Sequence, residues 1–173
     1  MITGIDIVQE QIRIAGGYPL SFTQKDIRIN GFAMEARIYA EDPDNNFMPS
    51  PGRISLFREP PDKDVRLETA VRNGDVISDG YDPMLAKVLV HSPSREQAIG
   101  KLRKALDGMV ITGVHHNMTL LKIILDDGEF LRNSISTSYL DHHMAGFVKQ
   151  ANELKHNINP FELVTAALCL SLP

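Results

Sequence analysis

The sequence predicts an α+β domain, a mostly antiparallel sheet with helices packed on one side. Three observations carry this reading. Residues 34–41 alternate strictly, with Met34, Ala36, Ile38 and Ala40 on one face and Glu35, Arg37, Tyr39 and Glu41 on the other, which is the period of a half-buried strand. From Ile27 to His91, short strand-like runs recur between clusters of Gly, Pro and Asp, as in a sheet of short strands. After Ser94 the apolar period becomes helical. Strands followed by helices fit an architecture in which the two are segregated.

The elements follow in order. Thr3 and Asp6 form a T-x-x-D pattern that predicts a helix starting near Gly4, with Ile5, Val8, Ile12 and Ala15 as its apolar stripe. Gly16-Gly17 and Pro19 stop it. Candidate strands are Ile29–Glu41, Arg53–Phe57, Val65–Thr69, Asp75–Ile77 and Met84–His91. Met84–Val90 is apolar on nearly both faces except at Lys87, so it is expected to be central. Ser94 and Gln97 make a capping box for a helix whose buried stripe is Ile99, Leu102 and Leu106, and Gly108 ends it. A short strand at Met109–Thr112, a helix capped by Asn117 and a short helix at Thr137–Ala145 complete the domain. Beyond a break at Asn157–Pro160, Phe161–Leu172 is an apolar helix candidate.

Composition bounds the function. The chain has 173 residues, 43% of them hydrophobic, and a net charge of −4 with both signs interspersed. That supports one core and argues against a nucleic-acid surface, which needs a basic stripe. The single cysteine, Cys169, forms no internal disulfide and fits a reducing compartment. No apolar run is long enough to span a membrane. Neither G-x-x-x-x-G-K-[ST] nor G-x-G-x-x-G occurs, and Gly16-Gly17 stands alone. No metal site is expected, because H-x-x-x-H and C-x-x-C are absent and the adjacent pairs His115-His116 and His142-His143 diverge on a helix.

The wording of Gly31–Gly52, GFAMEARIYAEDPDNNFMPSPG, closely resembles the opening of the C-terminal domain of biotin carboxylases, E-x-R-I-x-A-E-D-P followed by F-x-P-S-P-G. Further landmarks in the same order are similar to that family. They are Ile2–Leu20, Val65–Thr69, Asp79–His91 and Ser94–Leu125, so the likeness runs from Ile2 to about His143. The resemblance implies the family's barrel-like sandwich for residues 27–145. It makes residues 1–26 the trailing helix of an ATP-grasp domain and 146–173 a helical tail. It also places Met1 deep inside the longer chains of the family. The phosphate loop, nucleotide-binding lysines, metal-binding glutamates and N-x-R-x-Q-V-E-H strand of those enzymes have no counterpart here. ATP and Mg²⁺ are therefore expected to bind only in the full-length enzyme, not on this chain. Biotin is expected as a carrier-bound substrate. The implied partners are a biotin carboxyl carrier domain, a carboxyltransferase subunit and a second copy in a homodimer, with no nucleic acid and no membrane. The implied location is cytoplasm or mitochondrial matrix. The rival expectation is a non-catalytic scaffold or regulatory module that binds a carboxylase subunit. An upstream reading frame encoding the ATP-grasp domain would decide against it.

Four residues are singled out by the resemblance. Arg37 matches an arginine placed against the ureido oxygen of biotin, where its permanently charged fork meets the oxyanion that develops when the N–H proton leaves. Its plain alternative is an ion pair with Glu35 or Glu41. Asp82 and Lys87 fall in G-Y-D-P-M-L-A-K, which matches a loop and strand near the family's biotin site and subunit interface. Their plain roles are a turn before Pro83 for Asp82 and a lysine snorkelling from a buried strand for Lys87. Arg66 matches an arginine near the family's dimer interface, and is otherwise a solvated strand residue.

Overall fold

The computed structural model describes residues 1–156 of the chain. Strand β1 (Phe32–Tyr39), β6 (Arg66–Thr69) and β8 (Met84–Ser92) form a three-stranded antiparallel sheet with β8 in the middle. The expected central strand is therefore central, and Leu85, Ala86, Val88 and Val90 are all buried in it. The alternation in β1 also holds: Ala36, Ile38 and Ala40 face the core while Glu35 and Arg37 face outward. Helix α2 (Arg95–Gly108) packs across β1 and β8 with Ala98, Ile99, Leu102, Ala105 and Leu106 buried. Ser94 caps it as expected, its hydroxyl accepting from the Gln97 amide at 3.2 Å. Truncating Leu106, which has no exposed surface, would cost about 2–5 kcal/mol.

Three smaller antiparallel pairs surround this sheet: β2 (Glu41–Asp42) with β3 (Met48–Pro49), β4 (Gly52–Arg53) with β7 (Val76–Ile77), and β5 (Leu56–Arg58) with β9 (Val110–Thr112). The mostly antiparallel α+β class is thus correct. The barrel-like closure is not found, since among the described residues no sheet closes on itself. The reason is visible at Ile54. The run expected to be one strand, Arg53–Phe57, changes partners there. The Ile54 amide bonds to Asp75 and the Ser55 amide to Thr112. Fully buried Ile54 is the corner between two sheets, not a rung of one.

Helix α3 (Met118–Asp126), the one-turn α4 (Gly128–Leu131) and α5 (Tyr139–His156) build a second core of Leu120, Ile123, Tyr139, Phe147 and Ala151. The helix expected at Thr137–Ala145 runs on to His156, because Phe147 and Ala151 continue its buried stripe. Phe161–Leu172 and Cys169 lie outside the described residues.

The first helix, α1 (Ile7–Ala15), starts three residues later than expected. Asp6, not Thr3, is its cap, accepting from the Gln9 amide at 2.9 Å. Glu10 is its one buried residue and accepts from the Ser21 amide and hydroxyl. Those bonds, the hydroxyl's first, hold its carboxyl below the ordinary range. Of the expected stripe, Ile5 is half-buried while Val8 and Ile12 are 64% and 68% exposed, as is Ile7 beside them at 71%, so most of the stripe faces solvent in this chain.

Candidate functional site

Charged side chains collect on the outer face of the three-stranded sheet. Arg37 Nε donates to Glu35 Oε1 at 2.6 Å, and 56% of the Arg37 side chain remains exposed. The plain expectation of an ion pair is met, with Glu35 as the partner rather than Glu41. Glu35 first and the Tyr39 hydroxyl second raise the Arg37 pKa further above its already high value. The guanidinium therefore stays charged at any working pH.

Register places the neighbours. Arg37 stands opposite Lys87 on β8, and Lys87 stands opposite Glu68 on β6. Glu35, Leu89 and Arg66 form the next row. Residues directly opposite share a face. The face thus carries Arg37 and Lys87 side by side, flanked by carboxylates. Arg66 lies on the same face, two strands away from Glu35, and pairs with Glu68.

Asp82 caps the approach to β8. Its Oδ1 accepts from the Met84 amide at 2.9 Å, the turn expected before Pro83. The Pro83 carbonyl accepts from the Ala40 amide at 2.8 Å, which brings this turn against the end of β1. There Glu41 is pushed above its ordinary pKa, by burial and then by the charge of Asp82. Arg37 and Asp82 therefore lie towards the same end of the sheet, while Arg66 sits further along it.

The segment after β1 is shaped by its turn chemistry. Asp42 accepts from the Asp44 amide at 3.1 Å to start the Pro43–Asn45 turn, and Asn46 and Phe47 have φ of 49° and 58°. This left-handed pair reverses the chain so that the Phe47 amide returns to the Asp42 carbonyl and the Ser50 amide to that of Ala40. Ser50 Oγ in turn accepts from the His115 amide. At Gly113, with φ of 103°, a Cβ would lie 2.0 Å from the Arg53 carbonyl oxygen. Only glycine at 113 lets the chain leaving β9 pass this close to Arg53, just after the S-P-G segment.

Sequence reasoning missed Asn117. It was expected to cap α3, but its side chain makes no cap bond. Its Oδ1 accepts from the Tyr39 amide at 3.1 Å, and its Nδ2 donates to the Arg37 carbonyl at 3.1 Å. No local signal could have found this, because the partners are 78 and 80 residues away. Among the described residues, no group of three or more His, Cys, Asp or Glu could hold a metal ion, and no helix is long and apolar enough to cross a membrane.

The sequence and fold that carry this face are similar to those of known proteins. The family model for the biotin carboxylase C-terminal domain matches residues 35–142. The chain is 46% identical over 141 residues to the mitochondrial propionyl-CoA carboxylase alpha chain of Caenorhabditis elegans, covering 80% of this chain and 20% of that one. It is 44% identical over 141 residues to the biotin carboxylase of Allochromatium vinosum, covering 82% of this chain and 31% of that protein. The biotin carboxylase domain of Hydrogenobacter thermophilus 2-oxoglutarate carboxylase, solved as a dimer with MgADP and bicarbonate, superposes with a TM-score of 0.81 at 42% identity, over 85% of this chain and 32% of that one. The chain spans between a fifth and a third of the length of these relatives. On this extent of identity and on the family match over most of its length, the chain belongs to the biotin carboxylase C-terminal domain family.

Proposed function

We propose that this chain works as the C-terminal domain of a biotin carboxylase, in which carrier-bound biotin is carboxylated with bicarbonate at the expense of ATP. The observation that carries the reading is Arg37. It is a half-exposed guanidinium on a strand whose backbone is fixed on both edges, beside a second cation, Lys87. Loss of the biotin N–H proton puts negative charge on the ureido oxygen. A fixed donor at that point stabilises the charge as it forms, with no reorganisation at the moment of reaction. Glu35 holds the guanidinium in place through Nε. Asp82, towards the same end of the sheet, borders the entry to this face.

ATP and Mg²⁺ bind in the ATP-grasp part of the complete enzyme, of which residues 1–26 form the trailing helix and against which α1 lays its apolar stripe. The residues described here offer no three-ligand cluster for the metal. When bound there, ATP supplies the activation of bicarbonate. This chain contributes a wall of the biotin pocket and, through the face around Arg66, part of a homodimer contact. A biotin carboxyl carrier domain and a carboxyltransferase are its functional partners.

The test is made in the complete carboxylase. Arg37→Ala is expected to leave ATP affinity nearly intact and to slow biotin carboxylation by about 100-fold or more, the size of effect seen when one oxyanion donor is lost. Arg37→Lys should recover little of it, since lysine lacks the planar fork. A near-normal rate for the alanine enzyme would overturn the assignment.

A further inference from the structure

We infer that Asn117 is a positioning residue for Arg37, acting as a one-residue strand that closes the free edge of β1. The inference rests on the reading of Arg37 given above and extends it to a residue outside the sheet.

Strand β1 is an edge strand. One side pairs with β8, and the other has no strand partner among the described residues. An edge leaves alternate N–H and C=O groups pointing outward, where they need partners. At Arg37 and Tyr39 those groups go to Asn117. The side-chain oxygen takes the Tyr39 N–H at 3.1 Å, the side-chain nitrogen donates to the Arg37 carbonyl at 3.1 Å, and the Asn117 backbone N–H donates to the Tyr39 carbonyl at 3.3 Å. The network itself fixes the orientation of the amide, because its oxygen faces a donor and its nitrogen an acceptor. The clamp sits where the ladder is weakest. The β1–β8 register shifts between Ile38 and Tyr39, so β8 alone does not define the strand there.

The sequence position makes the arrangement informative. Asparagine at the start of a helix normally spends its oxygen on an amide of the first turn. In α3 that duty passes to His116, whose Nδ1 accepts from the Met118 amide at 3.4 Å. Asn117 is thereby released to bond β1. Both halves of the amide are required. Alanine lacks both, and aspartate keeps the acceptor but sets a carboxylate against the Arg37 carbonyl. Aspartate is nevertheless as good a helix cap as asparagine. The pair of variants therefore separates a clamp from a cap.

The experiment compares Asn117→Ala and Asn117→Asp in the complete carboxylase with the same substitutions in this chain. A misplacement of about 1 Å near the chemistry can cost on the order of 100-fold. Both variants should lose at least about 10-fold in kcat for biotin carboxylation, with KM for ATP within about 2-fold of normal. In the chain itself, the Tyr39 amide should exchange faster with solvent in the alanine variant. An aspartate enzyme with full kcat beside an impaired alanine enzyme would assign Asn117 to capping and overturn the clamp. Normal kcat in both, where Arg37→Ala is slow, would overturn it equally. If Arg37→Ala is itself without effect, the functional reading falls, and amide exchange then decides alone: unchanged protection of Tyr39 in Asn117→Ala overturns the clamp. Should the alanine chain be unfolded at the assay temperature, the aspartate variant carries the kinetic comparison.

Discussion

Lys155 Nζ donates to Asp44 Oδ2 at 2.6 Å, joining the far end of α5 to the turn that follows the Arg37 strand. This bond, more than burial opposes it, holds the Asp44 carboxyl below the ordinary range. The same two segments also meet through apolar contact, since Phe47 packs against the cluster that contains Phe147 and Ala151. Helix α5 is therefore a buttress for the turn whose left-handed residues are Asn46 and Phe47, adding to the turn's own backbone bonds.

The two contacts are expected to differ in worth. Lys155 and Asp44 are 44% and 33% exposed, so Lys155→Ala should cost no more than about 1 kcal/mol. Phe147 is 7% exposed, and Phe147→Ala should cost about 3–5 kcal/mol. Urea denaturation of the chain measures both. Equal small losses would mean that the second core does not hold α5 in place.

The stability of the chain should fall as pH drops below about 6.5, through His116. Burial lowers the pKa of this imidazole, more than its bond to the Ile111 carbonyl raises it. Its hydrogen bonds match the neutral ring, with Nε2 donating to Ile111 at 3.1 Å and Nδ1 accepting from Met118. In the unfolded chain an ordinary histidine takes up its proton near pH 6.5, before the folded state does. The unfolded state then binds more protons, and acid favours it. The contribution is complete above about pH 6.5 and is lost as pH falls towards the lower folded pKa, with a slope of at most about 1.4 kcal/mol per pH unit. His116→Gln should flatten the dependence of the urea midpoint between about pH 7 and 5. An unchanged slope in that variant would remove His116 from the account.

How much of this was legible in the sequence depended on how far apart the interacting groups lie. The Ala36, Ile38 and Ala40 alternation, the apolar run of β8 and the Ser94 cap are local, and each was readable from period or spacing alone. Thr3 against Asp6 was a local ambiguity, since either residue can start a helix and only the backbone decides. The partner change at Ile54 was hidden, because Arg53–Phe57 reads as one strand until β7 and β9 compete for it. Gly146 weakens a helix by about 1 kcal/mol, yet Phe147 and Ala151 carry α5 through it by burial. At the site, the bare residues gave an ion pair of Arg37 with Glu35 or Glu41, and the structure chose Glu35. Its chemistry came only from the wording of the surrounding motif, and the clamp from Asn117 spans too much sequence to be seen from either end.

On its own, the chain is not expected to bind ATP. The family match covers residues 35–142, and neither G-x-x-x-x-G-K-[ST] nor G-x-G-x-x-G occurs in the sequence. Calorimetry with Mg-ATP is the direct measurement. Saturable binding in the micromolar range would show that the described residues hold a nucleotide site, and would require the division of labour between this domain and the ATP-grasp part to be redrawn.

Association should follow from the stripe on α1. Val8 and Ile12 of the stripe, and Ile7 beside Val8, are all more than half exposed, and contiguous apolar patches of several hundred Å² tend to find partners. The chain is therefore expected to be dimeric or larger at high micromolar concentration. Two surfaces could serve, and they meet: Arg66 lines the same groove as Ile7 and Val8. Charge placed on the helix separates them. Ile12 lies a full turn beyond Val8 and does not line that groove. If the stripe drives association, Ile12→Glu combined with Val8→Glu yields a monomer, and Arg66→Glu, which leaves the stripe intact, does not. If the sheet face around Arg66 drives it, Arg66→Glu alone is sufficient, because reversing its charge sets it against Glu68, its present partner, and against a second copy of the same face. Light scattering reads each outcome directly. A monomer for the unmodified chain at such concentrations would exclude both surfaces, and would mean that α1 needs no cover beyond the solvent it faces here.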